Sequence, residues 1–376
     1  MVKPALQSDN QQLYKLNDPS GRIPYTKSAI PYFPHQKMNR TAFWHYCQLK
    51  TIVFFSLCIS LVLLTTPITA TAAQVLRIST PAAPEDWHVK MLSVFKEDLE
   101  KSAPGRFDIQ IHHSGTLFKQ GTEPVAMQRG NLEMALVSMQ DIAKQIPELS
   151  LLTAGYLIRD PQHLSHVYDG PIGAEVSKST DEKMGIHLLQ AVYYGTRQLG
   201  LRIPRNVRVP ADLSGLKLRM PGSKEWLFLG QALGAQATPL PFPEVYMALK
   251  TGTIDAQDNP LPTLKAAKFS EVTKQVVLTS HLVDVLQIAI SGKVWKTLSV
   301  PEQTKVKAAA AKAAQFNNEN RLREEKELLE TFRKQGIQIT TPDVSAFRKT
   351  VLDAYRKSDV AASWPKGLFD RIANTQ

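Results

Sequence analysis

The chain has 376 residues, with 45 Lys and Arg against 34 Asp and Glu, a formal charge of +11 at pH 7. Its two cysteines, Cys47 and Cys58, lie near the N-terminus. The body after residue 73, about 300 residues, therefore has no disulfide and no cysteine-based metal or redox chemistry, and it is long enough to bury a core without them.

Residues 1–37 are polar and carry Pro4, Pro19, Pro24, Pro31 and Pro34. They are expected to be a disordered leader or no part of the native protein, with Met38 as the start. Arg40 and Lys50 precede the apolar run Ile52–Leu64, and Ala70-Thr71-Ala72 follows as a small-residue site. That order reads as a signal peptide over 38–73, cut near Ala72 or Ala73. A retained anchor is the rival, but the apolar core is short against the roughly 20 residues a span needs. Residues 1–73 hold seven basic and two acidic residues, so the rest carries 38 and 32, a net +6. That charge is spread with no five-residue basic block, which argues against nucleic-acid binding and allows mild attraction of an anionic solute.

Val75–Thr80 alternates and predicts a strand; Glu85–Ser102 predicts a helix with Met91, Leu92, Phe95 and Leu99 on one face. Phe107–His112 is a second strand. Gly121-Thr122-Glu123 opens a helix that runs to Arg129, with Gly130 ending it and Thr122 as the candidate cap. Glu133–Val137 is a third strand. Helices at about 161–170 and 173–183 precede strands at 186–193 and 198–203. A strand ends at Arg219, a helix runs from Gly222-Ser223 to Leu233, and Gln236–Thr238 is a short strand. Glu244–Lys250 is a helix stopped by Gly252, and Thr253–Asp255 a brief strand. Val276–Thr279 and Val285–Ser291 are β-rich. Pro301–Lys334 has no interior Pro or Gly and predicts one helix near 50 Å long, too long for one compact lobe. Ile337–Thr340 is a strand and Val344–Lys357 a helix. Strands alternating with helices imply an α/β fold.

An Arg at the end of a strand suits a carboxylate, because a guanidinium can give it two parallel hydrogen bonds and an ammonium cannot. Arg219 occupies such a place, and a structural ion pair is its alternative. Asn259, 40 residues on and expected just after a strand, can donate to a carboxylate or accept from a hydroxyl, or can serve as a turn residue.

The segments Gly215-Leu216-Lys217-Leu218-Arg219, Glu244-Val245-Tyr246 and Gly252-Thr253-Ile254-Asp255-Ala256-Gln257-Asp258-Asn259-Pro260 lie in the order found in one family. Gly195-Thr196-Arg197, Gly121-Thr122-Glu123 and Thr279-Ser280-His281 extend the pattern over about residues 75–355. The chain resembles the DctP-type solute-binding proteins of TRAP transporters. The resemblance implies a two-lobe clamp like the periplasmic binding proteins, with the long helix spanning both lobes. Lobe I is expected at 75–196 plus 285–325, and lobe II at 197–284 plus 326–376. It implies a periplasmic receptor that binds a small organic carboxylate between the lobes and delivers it to the TRAP small and large membrane subunits. It implies no enzyme activity and no cofactor, and a monomer is expected.

By the same resemblance, Arg219 clamps the carboxylate, Asn259 is its hydrogen-bonding neighbour, Arg197 is a second basic contact and Phe242 packs on the ligand. His281 falls at a pocket-side position, with a core histidine as the alternative. Glu123 and Gln140 would offer polar groups from lobe I, and Trp87 and Tyr194 would wall the pocket unless they are core. Two departures stand out: Ala256 replaces a usual Gly, and Lys119-Gln120-Gly121 replaces a usual Leu-Gly before the acidic position.

No G-x-S-x-G, phosphate-binding G-x-x-x-x-G-K-[ST] or H-E-x-x-H motif is present. His112 and His113 would face opposite sides of a strand, and no carboxylate obviously joins His163 and His166, so no metal site is expected. An enzyme on the same fold and a sensory module presenting its solute to a receptor remain the other classes.

Overall fold

The structure is a computed structural model that describes residues 72–376. The expected leader and signal peptide lie outside the described residues, apart from Ala72 and Ala73. In chain order the first elements are β1 (Gln74–Ser79), α1 (Trp87–Ser102), β2 (Phe107–His112), α2 (Glu123–Arg129), β3 (Met134–Ser138) and α3 (Met139–Ala143). Then come α4 (Pro161–Asp169), α5 (Pro171–Met184), β4 (Ile186–Leu201), β5 (Lys217–Met220), α6 (Lys224–Ala232), β6 (Gln236–Pro239) and α7 (Val245–Thr251). The chain closes with β7 (Ala256–Pro260), α8 (Leu261–Ala266), β8 (Gln275–Ser291), α9 (Gly292–Trp295), α10 (Val300–Lys334), β9 (Gln338–Thr340), α11 (Val344–Arg356), α12 (Asp359–Ala362) and α13 (Leu368–Ala373).

The strands join in the order β2-β1-β3-β8-β4-β7-β5-β6, with β9 also on β8. Two long antiparallel strands, β4 and β8, organise everything else. Ile186–Tyr193 of β4 pairs with Val285–Ser291 of β8, and β3 adds to that end. Arg197–Leu201 pairs with β7, and Gln275–Val277 with β9, at the other end. Each half of the molecule is thus built around one end of the same two strands, giving the two-lobe α/β clamp.

The sequence divides each of these strands in two, and the structure corrects that. Gly195-Thr196-Arg197 and the polar stretch before Val285 look like breaks, yet the pairing runs through them with register shifts at Tyr193/Gly195 and Arg197/Leu199. Bulges absorb the irregular residues and let both strands bend without ending. Gly195 lies at φ +131, and a Cβ there would come within 2.4 Å of Pro260 Cβ and 2.5 Å of Glu325 Oε1. Only glycine permits so close a crossing.

A second correction concerns β7. The strand is Ala256–Pro260, not Thr253–Asp255, and Asn259 sits inside it. All five residues are buried. Polar Gln257, Asp258 and Asn259 hide the strand from a reading that expects buried strands to be apolar. Ala256 replaces a usual glycine without strain, since it is absent from the residues at positive φ.

Most local signals elsewhere work as expected, but Thr122 does not cap α2: its hydroxyl donates to Lys119 O at 2.7 Å instead. Asp86 caps α1 through His88 N–H, and Met91, Leu92, Phe95 and Leu99 are buried. Gly130 ends α2 at φ 83. The long helix α10 has 35 residues, about 50 Å. Val306, Ala309, Ala310, Ala313 and Ala314 pack in the core of β1, β2 and α1. Leu328 and Phe332 pack with α7 and α8. Between these apolar ends Asn317, Asn320 and Arg321 are buried. Asn317 Nδ2 donates to Tyr193 O at 2.9 Å, and Glu325 accepts from Thr196 N at 3.0 Å and Tyr193 Oη at 2.7 Å. The helix therefore holds the bend of β4 through side chains.

The C-terminal helices bridge the halves a second time. Tyr355 of α11 packs on Phe228 of α6, with ring centroids 4.8 Å apart. Beyond it, Trp364 Nε1 donates to Ser150 Oγ at 3.0 Å, and Arg371 pairs with Glu175 at 2.7 Å. The last helix thus bonds to residues of the first half, although its chain position follows second-half elements.

Candidate functional site

A cavity of about 290 Å³ opens between the two halves. Thr80, the β2–α2 loop and the start of α1 supply one wall; Tyr194 and Arg197 of β4 supply the floor; Pro221–Ser223, Trp226 and Pro239–Phe242 supply the other wall. These segments follow the C-terminal ends of β1, β2, β5 and β6, where open α/β sheets gather ligands.

Arg197 is the principal cation of the floor. It is only 5% exposed. Nε donates to Asp284 Oδ2 at 2.7 Å, and Nη1 donates to Asp258 O at 2.9 Å and to Asp258 Oδ2 at 3.3 Å. The guanidinium lies 4.2 Å from the Trp226 ring centroid and 4.8 Å from that of Tyr194. Burial by itself would lower its pKa; Asp258 and Asp284 outweigh that and raise it, so the side chain stays charged. Nη2 has no hydrogen-bond acceptor among the described residues.

Arg219 is more deeply buried and differently placed. It is 1% exposed and forms no ion pair among the described residues. Nε donates to Leu240 O at 2.8 Å and Nη2 to Gln120 Oε1 at 3.1 Å. Burial pulls its pKa down to about 10, even though Asp258 acts in the other direction. It does not itself line the cavity; it stands directly behind Gln120 and Leu240, which do. The side chain is thus neither turned to water nor bound to a protein carboxylate.

A fixed network lies beside Arg197. Asp86 Oδ1 pairs with Arg321 Nη1 at 2.5 Å, and Asp86 Oδ2 accepts from Thr263 Oγ1 at 3.1 Å. Burial disfavours the Asp86 anion, but Arg321 and then His88 outweigh it and hold the carboxyl well below its usual range. His88 stacks on Tyr194 with centroids 4.8 Å apart, and burial, then Arg321, lowers its pKa. This links α1, α8 and α10 under the cavity. Three buried cations, Arg197, Arg219 and Arg321, share this region with the carboxylates of Asp86, Asp258 and Asp284. Arg219 is the one of the three cations without a carboxylate in contact.

The first-half rim carries Lys119, Glu123, Asp141 and Lys144. Glu123 Oε2 accepts from Gly121 N at 2.7 Å, while Oε1 has no partner. Burial, helped by nearby Asp141, pushes the Glu123 carboxyl up to about 8. It is therefore largely protonated at pH 7 and can donate.

Of the nine residues singled out from the sequence, Arg197, Phe242, Glu123 and Tyr194 line the cavity. Arg219 and Asn259 lie one layer behind it. Asn259 Oδ1 accepts from Tyr194 Oη at 3.1 Å, and Nδ2 donates to Gln257 Oε1 at 2.5 Å, so Asn259 orients the floor. The other three are placed elsewhere. Trp87 turns to α10, donating Nε1–H to Glu324 at 2.6 Å and packing edge-on against Phe316; its neighbours Asp86 and His88 face the cavity instead. Gln140 is buried in α3, between Ser138 and Asp141, which do line. His281 is a core histidine between Thr279 Oγ1 at 2.8 Å and Asp258 Oδ2 at 3.1 Å. Gln120, Asp86, His88, Ser223 and Trp226 are cavity residues that the sequence reading passed over. For Gln120 a signal existed, the unusual Lys119-Gln120-Gly121. Among the described residues no group of three or more His, Cys, Asp and Glu is placed to hold a metal ion, and no helix is long and apolar enough to cross a membrane.

Comparison with known proteins agrees with this geometry. The sialic acid-binding periplasmic protein SiaP of Vibrio cholerae is 28% identical over 80% of this chain and 93% of its own length. The crystal structure of a TRAP periplasmic solute-binding protein from Roseobacter denitrificans, with bound 3-deoxy-D-manno-oct-2-ulosonic acid, is 42% identical. It superposes with a TM-score of 0.78 over 81% of this chain and all of that one. A TRAP periplasmic solute-binding protein from Polaromonas bound to D-erythronate is 27% identical, with a TM-score of 0.74 over 81% of this chain and 99% of that one. Residues 78–360 match the DctP family throughout, and the chain belongs to it: family 7 of the bacterial extracellular solute-binding proteins.

Proposed function

We propose that the chain is a periplasmic receptor that captures a small organic acid in the cavity between its halves and hands it to a TRAP membrane permease. The observation that carries this is Arg219. A buried guanidinium with no carboxylate in contact is an uncompensated charge, and burial already weakens its hold on its proton. A solute carboxylate supplies the missing counter-charge. Only two of the five N–H groups of Arg219 are taken by protein oxygens, and Arg197 Nη2 remains free. The carboxylate meets Arg197 Nη2 on the cavity floor and reaches past Gln120 and Leu240 to the remaining N–H groups of Arg219, with Phe242 and Tyr194 packing on the carbon skeleton. Glu123, protonated, donates to a hydroxyl or carbonyl oxygen. Relatives whose structures hold 3-deoxy-D-manno-oct-2-ulosonic acid and D-erythronate favour a hydroxylated monocarboxylate.

The hinge of this clamp is the bent part of β4 and β8, near residues 193–199 and 278–285. Lobe I comprises about 75–196 and 285–325; lobe II comprises about 197–284 and the chain from 326, with α12 and α13 as a strap back to lobe I. The solute shifts the balance between open and closed forms by its preference for the closed one. Export through a signal peptide cut near Ala72 or Ala73, and action as a monomer without catalysis, complete the reading.

The test is thermal stabilisation of the wild type and of Arg219→Lys by a panel of organic acids. At least one acid should raise the melting temperature of the wild type, and Arg219→Lys should lose affinity by about tenfold or more. Full affinity in the lysine variant would rule out the guanidinium clamp, and mass spectrometry of co-purified solute would name the acid.

A further inference from the structure

We propose that Gln120 is a bridging, specificity-determining residue: second-half donors hold its carboxamide oxygen across the cleft, and its –NH2 is the donor offered to the solute. The proposal deepens the receptor reading and rests on it for the solute.

The turn that carries Gln120 is well defined. Thr122 N–H donates to Lys119 O at 3.0 Å, closing a four-residue turn. Gly121 lies at φ +83 while Gln120 is not at positive φ, the pattern of a type II turn with glycine at its third position. A Cβ on Gly121 would lie 2.9 Å from Lys144 Nζ and 3.0 Å from Asp141 Oδ1, so the turn is seated on that ion pair. Its tip therefore projects Gln120 from the first half into the cavity.

Two donors of the second half meet one atom of that side chain. Arg219 Nη2 donates to Gln120 Oε1 at 3.1 Å, and the Phe242 backbone N–H donates to it at 2.8 Å. A guanidinium and a backbone amide can only donate, so the atom between them is the oxygen. The –NH2 group must then point away from both. It has no protein acceptor among the described residues, and Gln120 lines the cavity. A free donor beside a buried guanidinium recognises a carboxylate, carbonyl or hydroxyl oxygen, and it is in place only while the halves are together. One side chain thus couples closure to recognition.

The sequence supplies a direct reporter. Phe242 stands between Pro241 and Pro243, and proline has no N–H, so its amide is the only exchangeable one in that tripeptide. Hydrogen exchange at Phe242 reads the bridge without any solute. Gln120→Leu keeps the bulk and removes the acceptor; it should speed Phe242 exchange by about tenfold or more, whereas Gln120→Glu, which keeps an acceptor, should retain protection. With 3-deoxy-D-manno-oct-2-ulosonic acid and D-erythronate as probes, Gln120→Leu should weaken binding about tenfold, and the wild-type Gln120 side-chain amide resonances should shift on addition of the bound acid. Unchanged Phe242 exchange in Gln120→Leu would overturn the bridge. Tighter binding in Gln120→Leu would show that the oxygen competes with the solute and overturn the donor role. Were neither acid nor any other of the panel to bind the wild type, the receptor reading would fall and the donor role with it, while Phe242 exchange would still decide the bridge.

Discussion

Arg197 donates Nε–H to Asp284 Oδ2 at 2.7 Å, tying β4 to β8 where both strands pass from one half of the molecule to the other. The cation on the cavity floor is therefore also a brace of the bend. Arg197→Met removes the countercharge of two buried carboxylates and should cost about 3–5 kcal/mol in urea unfolding. Arg197→Lys keeps the charge but not the planar fork, and should lose less stability than Arg197→Met. Equal loss in the two variants would show that geometry at this position outweighs charge.

Glu123 gives the receptor a pH signature. Burial raises its carboxyl from 4.5 to about 8, so over that interval the folded chain holds a proton that the unfolded chain has released. Its contribution to stability is full below the unfolded value and is lost as pH rises through the folded one. Urea midpoints compared between wild type and Glu123→Gln should show the wild type losing ground steadily from about pH 4.5 to about pH 8. Parallel curves would place an ionised carboxylate there.

Gly195 is expected to tolerate no side chain. Alanine would drive a methyl group into Pro260 and Glu325 and would sit at φ +131. Gly195→Ala should destabilise by about 1–3 kcal/mol, with a matching fall in melting temperature. A neutral result would mean that the bend of β4 is softer than its contacts imply.

The Asp86–Arg321 pair should behave as a unit. Asp86→Ala strands a buried guanidinium and should cost about 3–5 kcal/mol, while Arg321→Met in the same background should recover part of that loss. Simple additivity of the two changes, measured by chemical denaturation, would deny the coupling.

Much of the fold was legible along the chain. The apolar face of α1, Gly130 after α2, and the uninterrupted composition of α10 are local signals, and each element formed within a few residues of its expected place. Two kinds of signal misled. Bulged stretches around Gly195 and before Val285 read as strand ends, because a bulge carries the residues of a turn. Buried polar strand β7 read as a loop, because its satisfaction comes from partners far away in sequence.

The site divides the same way. Arg219 and Asn259 drew notice by residue type and expected place near a strand end, with structural alternatives open, and the family resemblance then marked them and Arg197 as candidate carboxylate contacts. Whether a side chain faces the cavity, stands behind it or turns away is another matter. Trp87 and His88 are neighbours on α1, yet one packs on α10 and the other reaches the cavity floor. The chain by itself determined most of the elements and the kind of chemistry on offer, since these depend on neighbours in sequence. Only the tertiary structure decided that Gln120 meets Arg219, 99 positions away. A hydrogen bond between distant residues exists only once two halves of a fold have been brought together, and no local pattern encodes that distance.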